Sequence, residues 1–173
     1  IRKYSVTLNL CFLMSNRPEM SKFVHLHVHT QYSILDGQAS INALVDKAMA
    51  DGMPALAITD HGNMFGIKEF FNYVSKKNSK TKGAIKEAEA AAKEAETAGD
   101  IALAEEKHRE ADELKGKIFK PILGCEVYVA NESLQTHTDK HDTGRHLILL
   151  AKNEKGYHNL VKIVSRAWTE GFY

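Results

Sequence analysis

Three observations predict an α/β fold of parallel strand–helix units for this chain of 173 residues. Short apolar runs such as Ala55-Leu56-Ala57-Ile58-Thr59 alternate with longer segments whose apolar residues recur at helical spacing. His25-Leu26-His27-Val28-His29 interleaves imidazoles with aliphatic side chains, the period of two expected of a strand with one polar face. Strand and helix in alternation build parallel sheets, and a barrel is the expected closure.

The elements follow in order. Phe23 to Val28 is predicted as the first strand, with Leu26 and Val28 facing the core and the histidines opposite. Ser40 can cap a helix whose Ile41, Leu44, Val45 and Ala48 share one face and which closes at Gly52. Residues 55–59 then read as a buried parallel strand. Gly66 to Val74 reads as a second helix carrying Phe70, Phe71 and Tyr73. The tract at about 80–117 changes texture: it is charged, rich in alanine and free of aromatic residues. Gly83 to Ala98 and Ile101 to Lys115 are predicted helices, broken at Gly99-Asp100, forming a solvated antiparallel hairpin inserted in a loop. Glu89/Lys93, Glu105/Arg109 and Glu113/Lys117 stand at the spacing that supports such helices. Pro121 to Val129 and His146 to Ala151 are the third and fourth strands. A last helix spans about Glu154 to Glu170, with Tyr157, Leu160, Val161, Val164 and Trp168 on one face.

Composition narrows the classes. A hydrophobic content of 43% with 26% charged residues suits one globular domain. The formal net charge of +1 supplies no basic field for gripping nucleic acid. Cys11 and Cys125 match neither a disulfide framework nor a zinc knuckle, which points to a reducing cytoplasm. No apolar run approaches the roughly eighteen residues of a membrane span. Residues 1–20 read as an extension ahead of a domain at 21–173, with Met14 or Met20 the expected natural start. Thr7 and Asn9 interrupt what would otherwise resemble a signal peptide.

Chemistry-bearing residues gather at predicted strand ends, where βα folds place their sites. His27 and His29 close the first strand, and Asp60 and His61 directly follow the second. Imidazole nitrogen is a ligand for zinc and similar ions, and Asp36 adds a carboxylate. Glu126 lies inside the apolar third strand, where a carboxylate is costly unless ion-paired or bound to a cation. His146 opens its strand, so spacing does not set it beside the others. His108, His137, His141 and His158 read as surface residues.

The stretch from Phe23 to Gly37 resembles the opening of the polymerase-and-histidinol-phosphatase (PHP) domain, in the version found at the amino terminus of bacterial replicative polymerase alpha subunits. Ala57-Ile58-Thr59-Asp60-His61-Gly62-Asn63, Lys120 to Glu126, and His146 to Lys152 carry the same likeness. The resemblance implies a truncated part of a distorted (β/α)7 barrel, with the helical hairpin as an insertion. It implies up to three Zn²⁺ or Mn²⁺ ions held by His27, His29, Asp36, His61, Glu126 and His146, with Asp60 behind them and His25 left out. The implied chemistry is phosphoester hydrolysis, as a 3′–5′ exonuclease. The implied partners are the remainder of the alpha subunit, DNA through the complete protein and a proofreading exonuclease subunit, with no membrane. The family's later Asp-x-His motif has no counterpart after His146, so the chain reads as an amino-terminal fragment that is inactive alone. Two alternatives stay open: a free-standing phosphatase acting on small phosphate esters, and a non-catalytic docking module.

Overall fold

The computed structural model describes residues 23–131, 133–134 and 144–171. The expected extension at 1–20, together with Cys11, His137 and His141, lies outside them. The element order is α1 (Ile41–Ala50), β1 (Ala55–Ile58), α2 (Ile67–Ala98), α3 (Ile101–Gly116), β2 (Lys120–Val129), β3 (Arg145–Leu150) and α4 (Glu154–Glu170). The strands form one sheet in the order β1-β2-β3. No helix among the described residues is long and apolar enough to cross a membrane.

Local chemistry explains the boundaries. Ser40 caps α1 by accepting the Ala43 N–H on its hydroxyl, and Asn153 caps α4 through the Gly156 N–H. Gly99 ends α2 in the left-handed conformation, with φ 78°, and Asp100 caps α3 immediately afterwards. Leu56 and Ile58 of β1 pack with Ile41 and Val45 of α1 and with Phe70 and Val74 of α2. Cys125 and Val127 of β2 pack with Leu160 and Val164 of α4. Leu123, of the same strand parity, joins the first cluster, so the helices cover the face that odd-numbered β2 residues present. Glu126 and Tyr128 belong to the other face.

Four expectations change. β1 and β2 are parallel, but β3 runs antiparallel to β2, pairing Tyr128 with His146 and Glu126 with Ile148. The all-parallel reading missed this because apolar runs carry no direction. The predicted helix at 66–74 and the first hairpin helix are one continuous α2 of 32 residues, since neither Gly83 nor the polar stretch around it breaks the helix. The α2–α3 pair is antiparallel, with Lys115–Glu89 and His108–Glu96 ion pairs across a seam that buries Ala88, Ala92, Ala95, Ala104 and Ala111. Within α3 the ion pairs are Lys107–Glu110 and Lys115–Asp112, three residues apart, in place of the expected spacing of four.

The fourth change concerns residues 23–30, which run beside β1 without forming a regular ladder. The Ala57 N–H donates to the His25 carbonyl and the Thr59 N–H to that of Val28, so three residues on one side match two on the other. The Thr59 hydroxyl fills the gap, accepting the Val28 N–H at 2.9 Å. The extra residue behaves as a bulge does, breaking alternation. Leu26 is consequently 49% exposed rather than buried, while Val28 packs against the core as expected.

Candidate metal centre

A buried carboxylate builds the wall of the site. Asp60 is 2% exposed and accepts the Thr30 N–H at 2.6 Å, the Thr30 hydroxyl at 2.8 Å and the Ser33 hydroxyl at 2.7 Å. Its carboxylate ties the turn after His29 to the end of β1, while its main-chain carbonyl accepts the Glu126 N–H at 3.1 Å. That turn closes at Gly37, where a Cβ would lie 1.8 Å from the Thr30 carbonyl oxygen, so only glycine fits. The turn delivers Asp36. Beyond β1 the β1–β2 register continues, setting His61 opposite Glu126, with the Gly62 N–H donating to the Glu126 carbonyl at 2.8 Å. The Trp168 indole N–H reaches back from α4 to the Gly62 carbonyl at 2.7 Å. The ring, expected on the buried face, is itself 63% exposed.

Four imidazoles surround one carboxylate. Glu126, 1% exposed, receives His27 Nε2 at 2.8 Å and His29 Nε2 at 2.6 Å on Oε2, with the two nitrogens 3.1 Å apart. His61 Nδ1 lies 3.7 Å from the same oxygen, and His61 Nε2 is 2.6 Å from Asp36 Oδ2. His146 Nδ1 faces Glu126 Oε1. That oxygen is buried and otherwise makes no regular hydrogen bond among the described residues. The atoms form two triads that could each hold an ion, His27–His29–Glu126 and His29–Asp36–His61, which share His29.

The donor set fits a divalent ion. Nitrogen and oxygen atoms bound at about 2.1 Å to a tetrahedral zinc stand about 3.4 Å apart. The spacings within the His27–His29–Glu126 triad, 2.6, 2.8 and 3.1 Å, are tighter than that by roughly 0.3–0.8 Å. Burial works to raise the Glu126 pKa, but the His27 and His29 hydrogen bonds and the charge of His61 outweigh it, and the carboxyl sits below its ordinary value. An anionic oxygen ringed by imidazole nitrogens is a donor set able to hold a divalent metal ion. Cys125 plays no part: burial first, then the charge of Asp60, pushes its thiol up to about 12.

All six ligands expected from the sequence come together: His27, His29, Asp36, His61, Glu126 and His146. His146 does so because β3 is antiparallel, which puts the start of β3 beside the end of β2. His25 stays outside, its ring against Phe23. His108 and His158 are surface residues paired with Glu96 and Glu154. Sequence reasoning missed Tyr128, whose hydroxyl is 2.8 Å from His61 Nδ1. The signal available was its position two residues after Glu126, on the same strand face.

A helix-covered α/β sheet with a histidine–carboxylate cluster at its strand ends defines a metal-site domain, and this chain belongs to the PHP domain family, whose model matches residues 25–173. Its curated relatives include the DNA polymerase III subunit alpha of Borreliella burgdorferi, 39% identical over 155 residues, which are 88% of this chain and 10% of the relative. The Treponema pallidum protein of the same name is 39% identical over 154 residues, 87% of this chain and 10% of the relative. The one from Chlamydia trachomatis is 38% identical over 153 residues, 87% of this chain and 9% of the relative. The chain thus spans about a tenth of the length of the curated relatives it matches.

Proposed function

We propose that this chain is the amino-terminal, metal-binding PHP portion of a replicative DNA polymerase alpha subunit, and that its cluster holds Zn²⁺ or Mn²⁺ for phosphoester hydrolysis. The observation that carries the reading is Glu126, a buried carboxylate with its two oxygens turned to imidazoles from three separate segments: His27 and His29, His61, and His146. His27, His29 and Glu126 would hold one ion, and Asp36 and His61, with His29 at the border, a second; His146 completes the rim. When bound, the ions supply a hydroxide at neutral pH and positive charge for the phosphoryl oxygens. The residues themselves bind and orient. His29 belongs to both groups, and Asp60 holds the Thr30 turn so that His29 and Asp36 face the same space. His27 and His146 are half exposed, which leaves the rim open to a phosphoester.

In the complete protein the sheet extends to the (β/α)7 barrel, the α2–α3 hairpin stands outside it as an insertion, and the site acts as a 3′–5′ exonuclease on DNA in the cytoplasm, with a proofreading subunit nearby. Metal content by mass spectrometry, after dialysis against a weak chelator, tests the reading on this chain and on an intact alpha subunit that contains it. Retained zinc or manganese, reduced in His27→Ala and His61→Ala, is the expected result. Unchanged metal content in both variants, or none in either wild-type protein, would leave a docking domain without metal chemistry.

A further inference from the structure

We infer that the base of the α2–α3 hairpin docks the phosphate backbone of duplex DNA through Lys82, Lys86, Lys117 and Lys120. DNA as the partner rests on the polymerase reading of the chain; the surface itself is independent of the metal centre. The net charge of +1 conceals a segregation of charge along the hairpin. Residues 75–86 and 114–121, at its base, carry eight lysines and no carboxylate. Residues 87–113, towards its tip, carry ten Asp or Glu against three Lys or Arg.

The fold brings the basic segments together. Asn78, buried in α2, donates to the Phe119 carbonyl at 2.8 Å and accepts the Phe119 N–H at 3.1 Å. This pair pins the start of β2 against α2, and Lys82, Lys115 and Lys120 line one cleft of about 290 Å³. Lys86 stands one turn beyond Lys82 on the same side of α2. Glu89 and Asp112 hold the Lys115 ammonium, each at 3.0 Å. Lys82, Lys86, Lys117 and Lys120 are exposed and make no ion pair among the described residues. Like charges gathered in this way repel one another, and a polyanion laid across them relieves the repulsion. Lysine is a compact point charge without the planar fork of arginine, so it suits phosphates of any sequence rather than base edges. The acidic tip repels the same polyanion and confines it to the base. Lys120 opens β2 and Glu126 lies six residues along it, about 20 Å away at the rise of a strand. A phosphate held by these lysines is therefore not the one that meets the metal centre.

The test is fluorescence anisotropy of a labelled duplex of mixed sequence, titrated with the full chain in EDTA over a series of salt concentrations. Changing Lys82, Lys86, Lys117 and Lys120 together to Gln should weaken binding at least about tenfold at low salt. The slope of log affinity against log salt should fall by about three to four, close to one for each phosphate contact removed. Changing Lys93, Lys107, Lys155 and Lys162 to Gln alters the net charge equally and should leave affinity and slope close to wild type. Equal losses in the two variants, or a wild-type chain that binds no duplex at low salt, would overturn the inference. If the first variant does not fold, lysine footprinting of the wild type by reductive methylation decides. Duplex should protect Lys82, Lys86, Lys117 and Lys120 and leave Lys93 and Lys107 reactive; the reverse pattern, or no protection, refutes the surface. Protection that grows with protein concentration and gains nothing from duplex assigns the lysines to the acidic tip of a second copy, and refutes it too. Metal content of the same protein before EDTA separates the two readings. Retained metal without duplex binding overturns this inference alone, and duplex binding through these lysines without metal overturns the metal-centre reading alone.

Discussion

At the scale of single residues, two aspartates of the same neighbourhood should behave oppositely. Asp60 is buried and its carboxylate accepts three hydrogen bonds from Thr30 and Ser33, whereas the Asp36 carboxylate is 55% exposed and, among the described residues, meets His61. Asp60→Ala strands buried donors and should cost about 3 kcal/mol in urea unfolding. Asp36→Ala should stay within about 0.5 kcal/mol of wild type while losing metal from the His61 side. A large stability loss in Asp36→Ala would show that this carboxylate is structural. Cys125 provides a second residue-scale test. Its thiol is fully buried and ionises only near about 12, so iodoacetamide should leave it unmodified at pH 7 and at pH 9, and should label it quickly once the chain is unfolded. Native labelling that accelerates between those pH values would mean that the β2–α4 contact opens.

At the scale of elements, glycines separate positions that need a bare backbone from positions that do not. Gly83 lies inside α2 with nothing near where a Cβ would go, so Gly83→Ala should stabilise the chain by about 0.5–1 kcal/mol in thermal or urea unfolding. Gly37→Ala drives a methyl into the Thr30 carbonyl and must displace the turn carrying Asp36; weakened metal binding and lower stability are expected together. The seam between α2 and α3 is made of alanines, with Ala92 fully buried. Ala92→Leu should therefore part the helices at a cost of about 1–3 kcal/mol by overpacking. A neutral Ala92→Leu would indicate that the two helices are not held closely together.

Much of this element scale is legible in the sequence. Ser40, Gly52 and Gly99 mark real boundaries, and α4 covers the expected span from Glu154 to Glu170. The errors share a cause. A helix across 66–98 contains a polar stretch that reads as a break, because exposed polar helix and loop have similar composition. The first segment has the alternation of a strand, but one surplus residue against β1 replaces a backbone hydrogen bond with the Thr59 hydroxyl. No local pattern reports how many residues a neighbouring strand will offer.

At the scale of the whole molecule, metal and fold should be linked. A ligand that binds only the folded chain stabilises it by about 2.7 kcal/mol at one hundred times its dissociation constant. Zinc at that excess should raise the melting temperature, EDTA should reverse the rise, and His29→Ala, which removes the residue shared by both triads, should abolish it. An equal rise in His29→Ala would place the zinc elsewhere, on the surface histidines.

The sequence by itself determined the mixed α/β class and the family and named six candidate ligands, because residue type and local period are properties of neighbours along the chain. Only the tertiary structure decided the direction of β3, the bulge that leaves Leu26 exposed, and the partnership of Tyr128 with His61. Each depends on pairing between segments far apart in the chain, where hydrogen-bond register and packing choose among arrangements that one strand's pattern leaves equal. The case of His146 shows this most directly. Its imidazole reaches Glu126 because antiparallel pairing brings the beginning of one strand to the end of another.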